Sequence, residues 1–227
     1  MSDSGYDGPL RGERPAIELV NTRFADRGGV LVDGLADPGA VPPFLRAVLP
    51  DHDGPPPHLG ALLALRGTVT SVLRASLAGT PLDSTAIAAL NRTASRCPTS
   101  PLVVLTADGV PTAHVEHHGP RADVPLVRFA ADAIDLLTGP ARATLRACVA
   151  PGCVLLFLKD HPRRTWCSPA CGNRARQARH YTRHRRAQPD RVPSTAQAAS
   201  PGATRTSAGD EASIPEYRAN VRAYDGV

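Results

Sequence analysis

A chain of 227 residues with 42% hydrophobic and only 4% aromatic content has room for one medium domain and a small module, with a core built mainly from aliphatic side chains and alanine. No uncharged apolar run approaches the roughly 20 residues that a membrane-crossing helix needs, and Asp3, Asp7 and Glu13 stand before any apolar run, unlike a secretory signal. The expectation is therefore a soluble, cytoplasmic protein with reduced thiols and no membrane partner. The net charge of +5 is uneven: residues 148–191 hold ten Lys/Arg against two acids, and the remainder is net acidic.

Residues 1–13 are polar and Gly-rich and predict a flexible N-terminus. Pro15 suits the first turn of a helix over 15–26, with Ile17, Val20 and Phe24 on one face. Asn21 and Thr22 fall inside that helix, where neither is a strong helix former. They read either as locally bonded polar residues or, with Asp33, as the lining of a small ligand pocket. Val30-Leu31-Val32 after Gly28-Gly29 reads as an edge strand. Asp37-Pro38 starts a partly helical stretch to about residue 49, and the prolines of 50–57 make a loop.

The longest helix spans about 58–78, on the stripe of Leu62, Leu63, Val69, Val72, Leu73 and Leu77, and Gly79 stops it. Asp83 is an N-cap for a helix to about Arg96. Asp108-Gly109 between two β-prone runs predicts a hairpin. His114, His117 and His118 lie on its second arm and read as exposed strand residues. An amphipathic helix covers 124–138, and a short helix over 141–147 leads into Cys148. Cys97 stands alone and reads as a buried thiol. Residues 188–227 begin with a Pro/Ser/Ala/Gly-rich stretch and predict a disordered tail.

Four of the five cysteines fall between Cys148 and Cys171 as C-x4-C-x13-C-x3-C. Two hooks of paired cysteines supply four thiolates for tetrahedral zinc at little loop-closure cost. Two disulfides, or a set made of Cys167, Cys171, His180 and His184, are the alternatives. The second would strand Cys148 and Cys153 and is shorter than the usual spacing for its class; His161 is a lesser substitute ligand. Ser168 and Pro169 are N-cap and N1 of a helix that carries Cys171 in its first turn. On that helix Arg176, Arg179, Arg183 and Arg186 recur at helical period and form a face suited to a polyanion. Trp166, Asn173 and Arg174 are placed next to the ligands, where they can support the site.

Cys171-Gly172-Asn173-Arg174, with Arg164-Thr165-Trp166-Cys167 and Cys148-x4-Cys153 before it, resembles the CGNR zinc finger. Many members have four residues between the last two cysteines; this chain has three. Leu19-Val20-Asn21-Thr22, Val32-Asp33, Pro81-Leu82-Asp83 and Leu136-Leu137-Thr138-Gly139-Pro140 look like the ABATE domain. The resemblance implies an ABATE-like α+β domain over 14–139 and a zinc finger with a basic helix over 140–187. The expected fold is α+β and predominantly helical: a helical domain with a β-hairpin, then a four-cysteine zinc module. The implied function is a zinc-containing, stress-responsive, DNA-binding transcription regulator. One structural Zn2+ per chain would be held by Cys148, Cys153, Cys167 and Cys171, with DNA as partner and a small-molecule effector as a further option. A protein-interaction module with structural zinc, or a small-molecule sensor, is the alternative. No nucleophile elbow, P-loop or dinucleotide fingerprint is present, and a four-thiolate zinc leaves no open position, so no enzyme is expected.

Overall fold

The computed structural model describes residues 5–26 and 28–187; the tail expected at 188–227 lies outside the described residues. Among the described residues six α-helices and three two-stranded antiparallel ribbons follow one another along the chain. Pro15 opens α1 (Pro15–Asn21), and its N-terminus is capped from far away. The Asp132 carboxylate accepts the Ala16 N–H at 2.8 Å and binds Arg14, whose guanidinium also pairs with Asp135.

The helix expected to reach residue 26 ends at Asn21. The chain turns there into β1 (Arg23–Ala25), which pairs with β2 (Leu31–Asp33). The cause is a local turn that helix periodicity does not register. The Asp26 carboxylate takes the N–H groups of Gly28 and Val30, and Phe24 packs on a second core instead of the first.

A short 3-10 turn then leads into α2 (Val41–Val48). Helices α3 (Leu59–Ala78), α4 (Ser84–Ala94) and α5 (Val124–Thr138) complete the helical body, with Asp83 capping α4 through the Thr85 N–H at 3.0 Å. α5 packs on α1, α3 and α4. Ile17, Phe44, Leu62, Leu73, Phe129 and Leu136 are fully buried between them, and the rings of Phe44 and Phe129 stack at 5.9 Å. By length and composition α3 is a helix that could cross a bilayer. Here it carries a buried Arg66 on its inner face and packs on α1, α4 and α5.

Asp108-Gly109 lies between β3 (Thr99–Leu105) and β4 (Pro111–His117), a ribbon exposed along almost its whole length. The register puts Pro101, Val103 and Leu105 opposite Val115, Ala113 and Pro111, so one face is apolar from Pro101 to Leu105, with the Thr99–His117 pair at its end. His114, His117 and His118 are all exposed, and His118 Nε2 meets Ser100 Oγ at 2.8 Å.

The short helix expected at 141–147 is a 3-10 turn, Pro140–Thr144, followed by β5 (Leu145–Ala147), which pairs with β6 (Leu156–Leu158). The ladder overrides local helix preference, because it closes the loop that carries the first cysteine pair. β6 would otherwise leave an outer edge of bare backbone. Asn21 covers it by donating Nδ2–H to the Leu156 carbonyl at 3.0 Å and accepting the Leu156 N–H at 2.8 Å. One residue pair further along, Glu13 accepts the Leu158 N–H at 2.9 Å and Arg164 donates to the Leu158 carbonyl at 3.0 Å. Glu13 and Arg164 also pair with each other at 2.5 Å. A strand edge is thus satisfied by side chains instead of a third strand.

Two groups of residues have contacts that their sequence does not announce. The described part of the N-terminal segment packs on the fold: Tyr6 and Leu10 lie on the main core and the Glu13 carboxylate is buried against Arg164. Asn21, Thr22 and Asp33 do not offer their polar groups to a ligand. Asn21 is fully buried on Leu156, Thr22 Oγ1 donates to the Leu19 carbonyl and accepts from Arg66, and Asp33 is held by both guanidinium nitrogens of Arg66. That Arg66 bond holds the Asp33 carboxyl below its usual range.

Replacing Asn21 with Ala strands a buried donor and a buried acceptor, at a cost of about 1–3 kcal/mol for each unsatisfied group. Urea unfolding of Asn21→Ala should show a loss of that order with zinc content unchanged. A stability equal to wild type would show that the junction does not depend on this bridge.

Candidate metal centre and basic helix

The first cysteine pair sits in the β5–β6 loop. Cys148 extends the ladder by donating its N–H to Leu155 at 2.9 Å, and the chain then folds back so that the Cys153 N–H reaches Ala150 at 2.9 Å. That return needs the left-handed backbone of Gly152, at φ 70°. The second pair opens α6 (Pro169–Ala187). Ser168 caps this helix, accepting the Cys171 N–H on Oγ at 3.3 Å and the Gly172 N–H on its carbonyl at 3.1 Å.

The four sulfurs come together within 4.8 Å of one another, with Cys167 3.7 Å from Cys153 and 3.5 Å from Cys171. A disulfide would need about 2.05 Å, and all five cysteines are free thiols. Tetrahedral zinc at a Zn–S distance of about 2.3 Å sets its sulfurs about 3.8 Å apart. The site fits one structural zinc ion, and the three-residue spacing between Cys167 and Cys171 accommodates it. Taken by themselves, four thiols this close cannot all ionise. Cys153 and then Cys167 donate to Cys148 and drive it down to about 2. The same bond to Cys148 pushes Cys153 up to about 12, and Cys167 rises for the same reason. A dication at the centre would take the place of those protons.

Each residue of the Cys-Gly-Asn-Arg run has a distinct contact. Cys171 is a ligand. A Cβ on Gly172 would stand 3.1 Å from the Trp166 ring, so any side chain there would push the indole back by a few tenths of an ångström. Asn173 is exposed and accepts a hydrogen bond from Arg176, away from the sulfurs. Arg174 donates to Cys171 Sγ at 3.2 Å, and its charge offsets that of the thiolates. The alternative set through His180 and His184 is not built, because the four sulfurs close on themselves and both imidazoles are exposed. His161 instead accepts the Arg163 N–H on Nδ1, and Cys97 is buried away from the cluster.

The arginine face is carried by the same helix. Arg176, Arg179 and Arg183 are exposed; Arg186 lies within α6, but its side chain is outside the described residues. The guanidinium groups of Arg176 and Arg179 stand over the Trp166 ring, at 5.9 and 5.8 Å from its centroid. Beside them runs a groove of about 450 Å³, lined by Val149, Pro151, Trp166, Arg179, Thr182 and Arg183 among others. Tyr181 is 69% exposed, and Ala175 packs against the sulfur cluster. Sequence reading missed the roles of Glu13 and Arg164, 151 residues apart, for which no local pattern exists. It also missed Trp166 as a seat for two arginines, although an aromatic beside an Arg-rich helix is a readable sign.

Purified under reducing conditions, the protein should contain one zinc per chain and lose it in Cys171→Ser. Chelation should shift the emission of Trp166, the sole tryptophan. Protein with no stoichiometric metal would refute the assignment. Arg174→Gln should keep the ligands but weaken zinc by about 10- to 100-fold, the usual effect of losing a partner behind a ligand. Competition with a chromophoric chelator measures it, and wild-type affinity would leave Arg174 without a role at the metal.

Residues 13–140 match the ABATE family, described as "Putative stress-induced transcription regulator", and residues 144–184 match the CGNR zinc finger. No curated protein matches the chain. The first match takes in more than half of the sequence and the second encloses the four-sulfur centre, so the chain belongs to the ABATE family and carries a CGNR zinc finger behind its helical domain.

Proposed function

We propose that this protein is a non-enzymatic, cytoplasmic transcription regulator that binds DNA through α6. The observation that carries the reading is the helix itself. It has six arginines and no acid, begins at the metal and leaves Arg176, Arg179 and Arg183 exposed on one side. Arginines three and four residues apart repel one another by a few tenths of a kcal/mol per pair, and a polyanion removes that cost. A closed four-thiolate centre suits a scaffold for such a helix better than a catalyst. The family description supports a regulatory role. The rival reading, a protein-interaction module, rests on the apolar face of the β3–β4 ribbon, where Val103 and Leu105 are 77% and 69% exposed.

Salt dependence separates the two. If Arg176, Arg179, Arg183 and Arg186 each meet a phosphate, log affinity should fall with log salt at a slope of about −3.6. Raising salt from about 50 to about 200 mM then weakens binding on the order of 150-fold. Arg176→Ala with Arg179→Ala should flatten the slope by about two units and leave zinc bound. A double variant with wild-type affinity and slope would rule α6 out as the DNA-binding surface.

A further inference from the structure

We propose that His180 and His184 form a second divalent-metal site, on the exposed surface of α6 and separate from the cysteine centre. The two residues are one helical turn apart, and histidines at that spacing share a face from which both imidazoles reach one ion. The structure brings them together: their Nε2 atoms are 3.0 Å apart and their ring centroids 4.2 Å apart. Both side chains are exposed, so an ion reaches them without opening the fold.

The separation also says which ions fit. Metal–imidazole bonds are about 2.0–2.1 Å long, which sets two nitrogens about 2.9 Å apart at a right-angled bite and about 3.4 Å apart at a tetrahedral one. The observed 3.0 Å lies between these two bites, within a small ring rotation of either, so the pair can chelate a nickel, copper or zinc ion. In the ion-free pair the same distance is spanned by a single N–H···N bond. On binding, the donor ring gives up its Nε2 proton to solvent and takes one up on Nδ1, so that both rings present a bare Nε2 to the ion. Arg176, Arg179 and Arg183 share the surface depression that His180 helps to line. Their charge opposes a dication, which suits an exchangeable ion rather than a structural one. The remaining coordination positions face solvent and would be filled by water.

The site stands whether or not α6 meets nucleic acid, so the test uses none. Untagged, zinc-loaded full chain is dialysed against Ni2+, and both metals are measured. Wild type should take up about one Ni2+ per chain and keep its zinc. His180→Gln and His184→Gln should each weaken nickel by more than about tenfold, since even the loss of a partner behind a ligand costs 10- to 100-fold. The double variant should lose this uptake with zinc unchanged. Three results would overturn the proposal: no nickel on wild type, equal uptake by the double variant, or nickel gained only as zinc is lost.

Discussion

Four sulfurs within 4.8 Å of one another are the constraint on which the C-terminal part of this protein depends. Helix α6 has little else to hold it. Among its described side chains, the buried residues are Cys171, Gly172 and Ala175, and the arginines beyond them repel one another. A helix without an apolar stripe is not stabilised by packing. Structural zinc contributes on the order of 10 kcal/mol to modules of this size, far more than so few buried side chains can. The metal is therefore also what presents the basic surface.

The small core around the sulfurs is joined to the larger one by apolar contact, since Leu145 and Leu156 of the β5–β6 ribbon are buried in the main core, and by a set of polar bonds. Three side chains, Glu13 and Asn21 from the N-terminal stretch and Arg164 from just beyond β6, take the free edge of β6 in place of a neighbouring strand. Arg74 adds a bond from α3 to the Val154 carbonyl at 2.8 Å. Such bonds are worth little beyond the water contacts they replace, but an unmade one in a buried place is costly. They fix orientation: only one placement of the finger satisfies Leu156 and Leu158 together. Glu13 is almost wholly buried in that arrangement, and Arg164 gives it the charge partner it requires.

What could be read in the sequence divides along the range of the interactions. The zinc ligands were legible because their spacing is itself the signal. The long helices were legible from their apolar period, and the β3–β4 ribbon from Asp108-Gly109. Failures came where a distant partner decides. Asn21 and Thr22 read either as locally bonded or, with Asp33, as a pocket lining; Thr22 does bond locally to Leu19, but the partners of Asn21 and Asp33 are the distant Leu156 and Arg66. Residues 145–147 suggested helix because nothing nearby announces that β6 will pair with them.

Trp166 connects the metal to the charged surface. It precedes a ligand, Cys167, so coordination fixes where its ring lies, and Gly172 lets α6 settle against one part of that ring. The same indole then gathers Arg176 and Arg179 over it. A free arginine side chain gives up as much as about 2 kcal/mol of rotamer entropy when it is immobilised on a partner. Two arginines already resting on a ring have lost part of that freedom before any anion arrives. Arg176 also donates one N–H to Asn173, and its remaining N–H groups, with those of Arg179, are what would form bonds to a phosphate. The order of dependence therefore runs from sulfur to metal, from metal to indole, and from indole to the arginines.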